Sequence, residues 1–190
     1  MDTHAILRLA GGLLALALFV PLVMDALKRG GVGQSFATWL LWALLDAILA
    51  ASIIRQHGNY LIVLGFTVGD GVMAAALLWK HRVIWGRFET AVLALVAGCL
   101  VVWNISGPRG ATMAGTVAIC VAGLPGLVAL WRNPDRRLAT IWALYALANA
   151  VSFFGGTAMT LEERFAPGVF AIFSLVLAVA GLRPAVTAKE

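Results

Sequence analysis

The sequence predicts an all-α integral membrane protein: seven transmembrane helices, built as two parallel three-helix repeats joined by a linker helix. Three observations predict this: an apolar composition, seven apolar runs of spanning length, and an internal likeness between the first three runs and the last three. Of the 190 residues, 62% are hydrophobic and 12% charged, and the mean hydropathy is +0.93. Soluble domains sit near half apolar and a quarter charged. The net charge of +5 is carried by short basic groups between apolar runs. That is a pattern of membrane topology rather than of a nucleic-acid patch, so membrane lipid is the expected partner and nucleic acid is not.

A spanning helix needs roughly 20 mostly apolar residues. The qualifying runs are approximately 5–25, 36–55, 59–79, 88–105, 110–131, 138–158 and 166–183. Between them stand Gly30-Gly31, His57-Gly58, Lys80-His81-Arg82, Ser106-Gly107-Pro108, Asn133-Pro134-Asp135 and Glu162-Glu163, residues that punctuate helices. No small-residue cleavage site follows the apolar stretch from Ala10 to Met24, which therefore reads as a retained first span.

Lys and Arg placement sets the expected orientation. One side holds Lys28, Arg29, Lys80, Arg82, Arg87, Arg132, Arg136, Arg137, Arg183 and Lys189; the other holds Arg8, Arg55, Arg109 and Arg164. The excess places the N-terminus outside and the C-terminus in the cytoplasm, in a multi-pass protein of the cell (inner) membrane.

The repeat is visible in two stretches. Residues 39–47 read WLLWALLDA and residues 142–150 read WALYALANA, so that Trp39 meets Trp142, Trp42 meets Tyr145 and Asp46 meets Asn149. Around Pro21 and Pro125 the offset is one residue longer; downstream, Gly65 meets Gly168 and Lys80 meets Arg183. Three spans are an odd number, so a direct duplication would invert the second copy, and an unpaired fourth span restores its direction. The expected division is 1–84 for the first repeat, 85–107 for the linker helix and 108–190 for the second repeat. Parallel repeats with a site between them are a transporter architecture.

With three-plus-one-plus-three spans, an outside N-terminus and a proline late in the first span of each repeat, the chain resembles the PQ-loop superfamily, and within it the SWEET sugar transporters and their half-size bacterial relatives. The sequence pieces that carry the likeness are Pro21 with Lys28-Arg29, Gln34-Ser35 and Trp39, then Pro125 with Arg132 and Trp142. The family's Pro-Gln pair is Pro21-Leu22 here and Pro125-Gly126 in the second copy, and its pocket asparagines are missing from the third and seventh spans. The resemblance implies a transporter that moves a small polar solute by alternating access, with a sugar as the first candidate. Relatives that export amino acids use intramembrane acids, which implies a proton-coupled carrier as an alternative.

Apolar runs make their polar residues conspicuous. Asp46 and Asp70 each lie ten residues from the predicted cytoplasmic end of a span, about 15 Å deep at 1.5 Å per residue. Asn149 and Ser174 fall at similar depth. A charged side chain there costs about 2.5–3.5 kcal/mol on insertion scales, which marks such residues as functional candidates. Trp39, Trp42 and Asp46 share one helical face, and Trp142, Tyr145 and Asn149 repeat it. The expected substrate-binding residues are therefore Trp39, Trp42, Asp46, Thr67, Asp70, Trp142, Tyr145, Asn149 and Ser174, at the repeat interface near the bilayer midplane. Pro21 and Pro125 are expected to kink their spans and to serve as gate hinges.

No enzyme core is expected, because no Ser/His/Asp or Cys/His set converges at one depth. His4, His57 and His81 sit in separate loops or tails, and Cys99 and Cys120 show no ligand spacing, so neither metal nor cofactor is expected. The Gly30–Gly33 run lacks the strand that a phosphate loop needs. A third class of function also fits this composition: a non-transporting accessory subunit of a membrane complex. A second copy of the chain or a partner membrane subunit is compatible with every reading.

Overall fold

The computed structural model describes residues 2–29 and 35–184. Gln34, the Gly30–Gly33 run and Lys189 lie outside the described residues. Among those described there are seven α-helices, one π-helical turn and no strand: α1 (Thr3–Ala17), α2 (Phe19–Arg29), α3 (Phe36–Arg55), α4 (Leu61–Trp79), α5 (Arg87–Arg132), α6 (Arg136–Phe154), the π turn (Leu161–Phe165) and α7 (Ala166–Leu182). Six stretches of the described residues are long and apolar enough to cross a membrane, with α1 and α2 counted as one. The outer surface carries Leu13, Val20, Val101, Val117, Leu147 and Ile172 as exposed side chains. That much exposed apolar surface is a liability in water and suits lipid, as in a multi-pass membrane protein.

Local chemistry accounts for the helix limits. Asp2 caps α1, its Oδ1 accepting from the Ala5 N–H at 2.7 Å. Ser35 caps α3, and its hydroxyl donates to the Ile84 carbonyl at 2.6 Å, fastening the 80–86 loop to the start of α3. Asp135 caps α6, accepting from the N–H groups of Arg137 and Leu138. These are the side chains expected to satisfy the orphan donors of a helix start. The break between α1 and α2 falls at Leu18. Pro21 explains it, because its ring crowds the carbonyl four residues back, that of Ala17, and it has no N–H to donate. Pro125 does not have the same effect: α5 keeps helical backbone throughout except at Gly107.

At 46 residues α5 would be about 69 Å long if straight, more than twice a bilayer core. It is not straight. Gly107 has φ 67° and ψ −167°, a conformation essentially reserved for glycine. Before it, Glu89 accepts from the Thr38 hydroxyl at 2.8 Å, near the start of α3. After it, Thr112 is 2.9 Å from the Ser52 hydroxyl, near the end of α3, and Gly115 faces Leu49. Val92, Val96 and Cys99 from one side of Gly107, and Ala118 and Ala122 from the other, join one core with Leu41 and Leu45. The chain therefore doubles back at Gly107, and both arms of α5 lie along α3. Replacing Gly107 by alanine should cost about 1–3 kcal/mol in backbone strain, which lowers the thermal midpoint by roughly 2–4 °C per kcal/mol for a chain of this size. An unchanged midpoint in detergent would refute this account of the turn.

Packing follows a regular scheme: α1 and α3 both lie on α4, α5 and α6 both lie on α7, and two seams, α1 on α6 and α3 on α5, join the groups. The seams are tight. A Cβ on Gly11 would come within 2.9 Å of the Ser152 Cβ, and one on Gly115 within 3.4 Å of the Leu49 Cβ. The largest core cluster, with Ala15, Leu49, Ile53, Ile62, Val63, Ala148 and Ala166, lies toward the Glu163 end of the bundle. Lys80, Arg87, Arg132, Arg136 and Arg183 mark the other, basic end.

Candidate functional site

A cavity of about 510 Å³ opens between the α1–α4 group and the α5–α7 group. Seven aromatic rings form a continuous chain along its wall. Trp42 meets Trp39 at 5.7 Å between centroids, Trp39 meets Phe19 at 6.2 Å, and Phe19 meets Tyr145 at 5.8 Å. Tyr145 then touches both Trp142 and Phe66 at 5.6 Å, and Phe66 meets Phe170 at 6.1 Å. Tilted and edge-on pairs of this kind stabilise by about 0.5–1.5 kcal/mol beyond their buried area.

The deep end of the cavity is acidic. Asp46 and Asp70 are 4% and 3% exposed and stand on the neighbouring helices α3 and α4, close enough for each carboxyl to act on the other. Two carboxylates are both acceptors, so a hydrogen bond between them requires a proton. The Asp46 Oδ1 atom, the Trp42 indole N–H and the Tyr145 hydroxyl are buried without a partner, and all three residues line the cavity. Buried polar groups are normally paired, and each unpaired one costs about 1–3 kcal/mol. Three around one cavity, two from α3 and one from α6, are what a site for a polar ligand presents.

Of the nine residues expected from sequence to bind a solute, Trp39, Trp42, Asp46, Asp70, Trp142, Tyr145 and Ser174 line this cavity. Thr67 and Asn149 do not. The Thr67 hydroxyl donates to the Val63 carbonyl of its own helix, and the Asn149 amide donates to the Tyr145 carbonyl in the fully buried core. Neither proline is on the wall. Sequence reasoning missed Phe19, Phe66, Phe170 and the mouth residues Asn133 and Asp135. A signal existed for two of them. An aromatic stands four residues before a polar side chain in Trp42/Asp46, Phe66/Asp70, Tyr145/Asn149 and Phe170/Ser174, the spacing that puts both on one face.

The two ends of the cavity differ. Toward the basic end it runs out to Asn133, Asp135 and Leu138, which are exposed. The Glu163 end is closed. There Arg8 of α1 pairs with Glu163 at 2.7 Å and donates to the Gly155 carbonyl at 2.9 Å, while Glu163 also accepts from the Thr157 N–H. Asn59 donates through its side chain to the Ser152 carbonyl at 2.7 Å and through its N–H to the Glu162 carbonyl. On the other seam Gln56 donates to the Thr112 hydroxyl. Among the described residues no group of three or more His, Cys, Asp or Glu side chains could hold a metal ion. Comparison with protein-family models, with curated proteins and with solved structures finds no match to this chain.

Proposed function

We propose that this protein is a membrane carrier that moves a small polar solute by alternating access. One observation carries the reading: a cavity with a deep acidic floor reaches one end of the bundle, while hydrogen bonds and a partly buried ion pair tie the other. A carrier caught open to one side has this form. Seven spans fit it, since the reversal at Gly107 supplies two spans from α5. The repeat fits as well. Exchanging α1, α3 and α4 for the second arm of α5, α6 and α7 leaves the packing scheme unchanged. Single contacts obey the same exchange: Gly11 against Ser152 becomes Gly115 against Leu49, at offsets of 104 and 103. By the Lys and Arg bias, the basic end is cytoplasmic and the cavity opens inward. The SWEET resemblance makes a sugar the first solute to try.

The contact between Asp46 and Asp70 favours a second reading within transport, a proton-coupled carrier. Flux into liposomes tests both. Wild-type protein should move at least one solute of a panel of sugars, amino acids and amines, and Asp46→Asn should reduce that flux by about tenfold or more, the scale of an unpaired buried group. A pH gradient that drives accumulation would select the proton-coupled form. A folded wild type that moves nothing across the panel would refute the carrier and favour the accessory-subunit reading.

A further inference from the structure

The chemistry of the wall narrows the solute. We infer, resting on the carrier reading of this cavity, that it takes a singly charged organic cation with an apolar body and no anionic group, held on the Asp46–Asp70 carboxyls and the aromatic chain and exchanged for a proton.

Charge comes first. Among the described residues no Lys, Arg or His lines the cavity, and its acids are Asp46, Asp70 and Asp135. Asp135 is occupied at the mouth in capping α6, which leaves Asp46 and Asp70 as the deep charges. A zwitterion or an anion would bring a carboxylate to a wall with no cation to receive it. A cation meets two carboxyls that line the cavity, one with a buried, unpartnered oxygen. Ring faces add to this, because the negative face of a Trp or Tyr ring attracts a cation placed over it.

Polarity comes second. A sugar carries a hydroxyl on nearly every carbon, and each needs a partner when buried. The wall is mainly Phe, Trp, Leu and Ile, with Ser174, the Trp42 N–H and the Tyr145 hydroxyl as scattered neutral polar groups and Asn133 at the mouth. That suits an apolar body better than a polyol.

The proton follows from the same geometry. Without solute, the carboxyl pair in contact shares a proton. When a cation settles on the pair, the proton leaves through the mouth to water, and the second carboxylate takes its place opposite the cation. One positive charge replaces another, so the buried site never carries two uncompensated negative charges. The titratable groups facing the pair are the other acid and, from α6, the Tyr145 phenol. From α2, α5 and α7 the cavity receives Phe19, Leu22, Ile119, Phe170 and Ser174 among others, none of which titrates.

The full-length protein in detergent, titrated with benzyltrimethylammonium by calorimetry and by tryptophan fluorescence, tests the inference. Glucose and phenylalanine serve as neutral and zwitterionic comparators. Benzyltrimethylammonium should bind saturably, more tightly at pH 8 than at pH 6, with proton release read from buffers of different ionisation enthalpy. Asp46→Asn and Asp70→Asn should each weaken binding by about tenfold and remove the pH dependence. Should either variant fail to fold, the wild-type pH dependence and proton release decide alone. Absence of cation binding by folded wild type, binding indifferent to pH, or glucose or phenylalanine binding in its place would overturn the inference. Its failure is distinct from failure of the carrier: glucose flux without cation binding keeps the carrier and removes the cation, whereas cation binding with no flux of any solute keeps the cation site and removes the carrier.

Discussion

Replacing Arg8 by glutamine should open the sealed end of the bundle. The Arg8 and Glu163 side chains are 20% and 9% exposed, so the pair is shielded from water more than a surface bridge, and removal of one partner leaves a poorly solvated charge. Arg8 also holds the Gly155 carbonyl and the Thr157 hydroxyl. Losing these contacts should shift the balance toward the opposite-facing state by about tenfold, or 1.4 kcal/mol. The measurement is the labelling rate of a cysteine at Ser152, fully buried in the wild type, by a water-soluble maleimide in a Cys99→Ala, Cys120→Ala background. Arg8→Gln and Glu163→Gln should both accelerate labelling. The double variant R8E/E163R restores the ion pair but not the donation to Gly155, and should recover part of the protection. Equal labelling rates in all four proteins would show that this cluster is not the closure.

The largest effect on stability is expected at Gly58. A Cβ there would overlap the Glu162 carbonyl oxygen, and this neighbour is backbone rather than a side chain that can turn away. Relief requires the α3–α4 connection to move off the π turn, which removes the hydrogen bond from the Asn59 N–H to Glu162 and strains the one from its side chain to Ser152. Overpacking of this kind costs about 1–3 kcal/mol, with the lost bonds in addition. Gly58→Ala should therefore lower the thermal midpoint in detergent by roughly 2–4 °C for each kcal/mol. Gly71→Ala is the control, since a Cβ there meets nothing within 4 Å. Equal midpoints for the two variants would exclude a tight loop–turn contact.

Much of this architecture can be read from the amino acids, because lipid forces backbone to satisfy itself within helices and apolar length alone then marks the segments. The polar residues that broke the apolar runs were informative for the same reason: Asp46 and Asp70 are costly at depth, and both line the cavity. Asn149 shows where such reasoning ends. It matches Asp46 by repeat arithmetic, yet it does not line the cavity and its NH2 donates within its own helix, and only packing against other segments decides such a rotation. The closure was illegible for a related reason. Arg8 and Glu163 are 155 residues apart, and nothing local ties an arginine near one terminus to a glutamate near the other. Pro21 and Pro125 look alike in sequence, but only the first interrupts its helix, since a proline kink is realised or suppressed by the neighbours of the freed carbonyl.

One exchange between the groups sets the character of the cavity. Phe19 of α2 fits against Gly69 of α4, whereas in the other group Gly123 of α5 receives Phe173 of α7. Ring and vacancy have changed places, and the backbone scheme tolerates both. The acids made no such exchange: at depth they sit on α3 and α4 alone, facing Tyr145, Phe170 and Ser174 across the space. The two groups thus enclose an unlike interior, with carboxyls at depth on one side and none at depth on the other. A guest with one charged end has a single way to lie in it. In the proposed carrier, rocking one group against the other about the seams would present that guest to either side of the bilayer without its ever turning over.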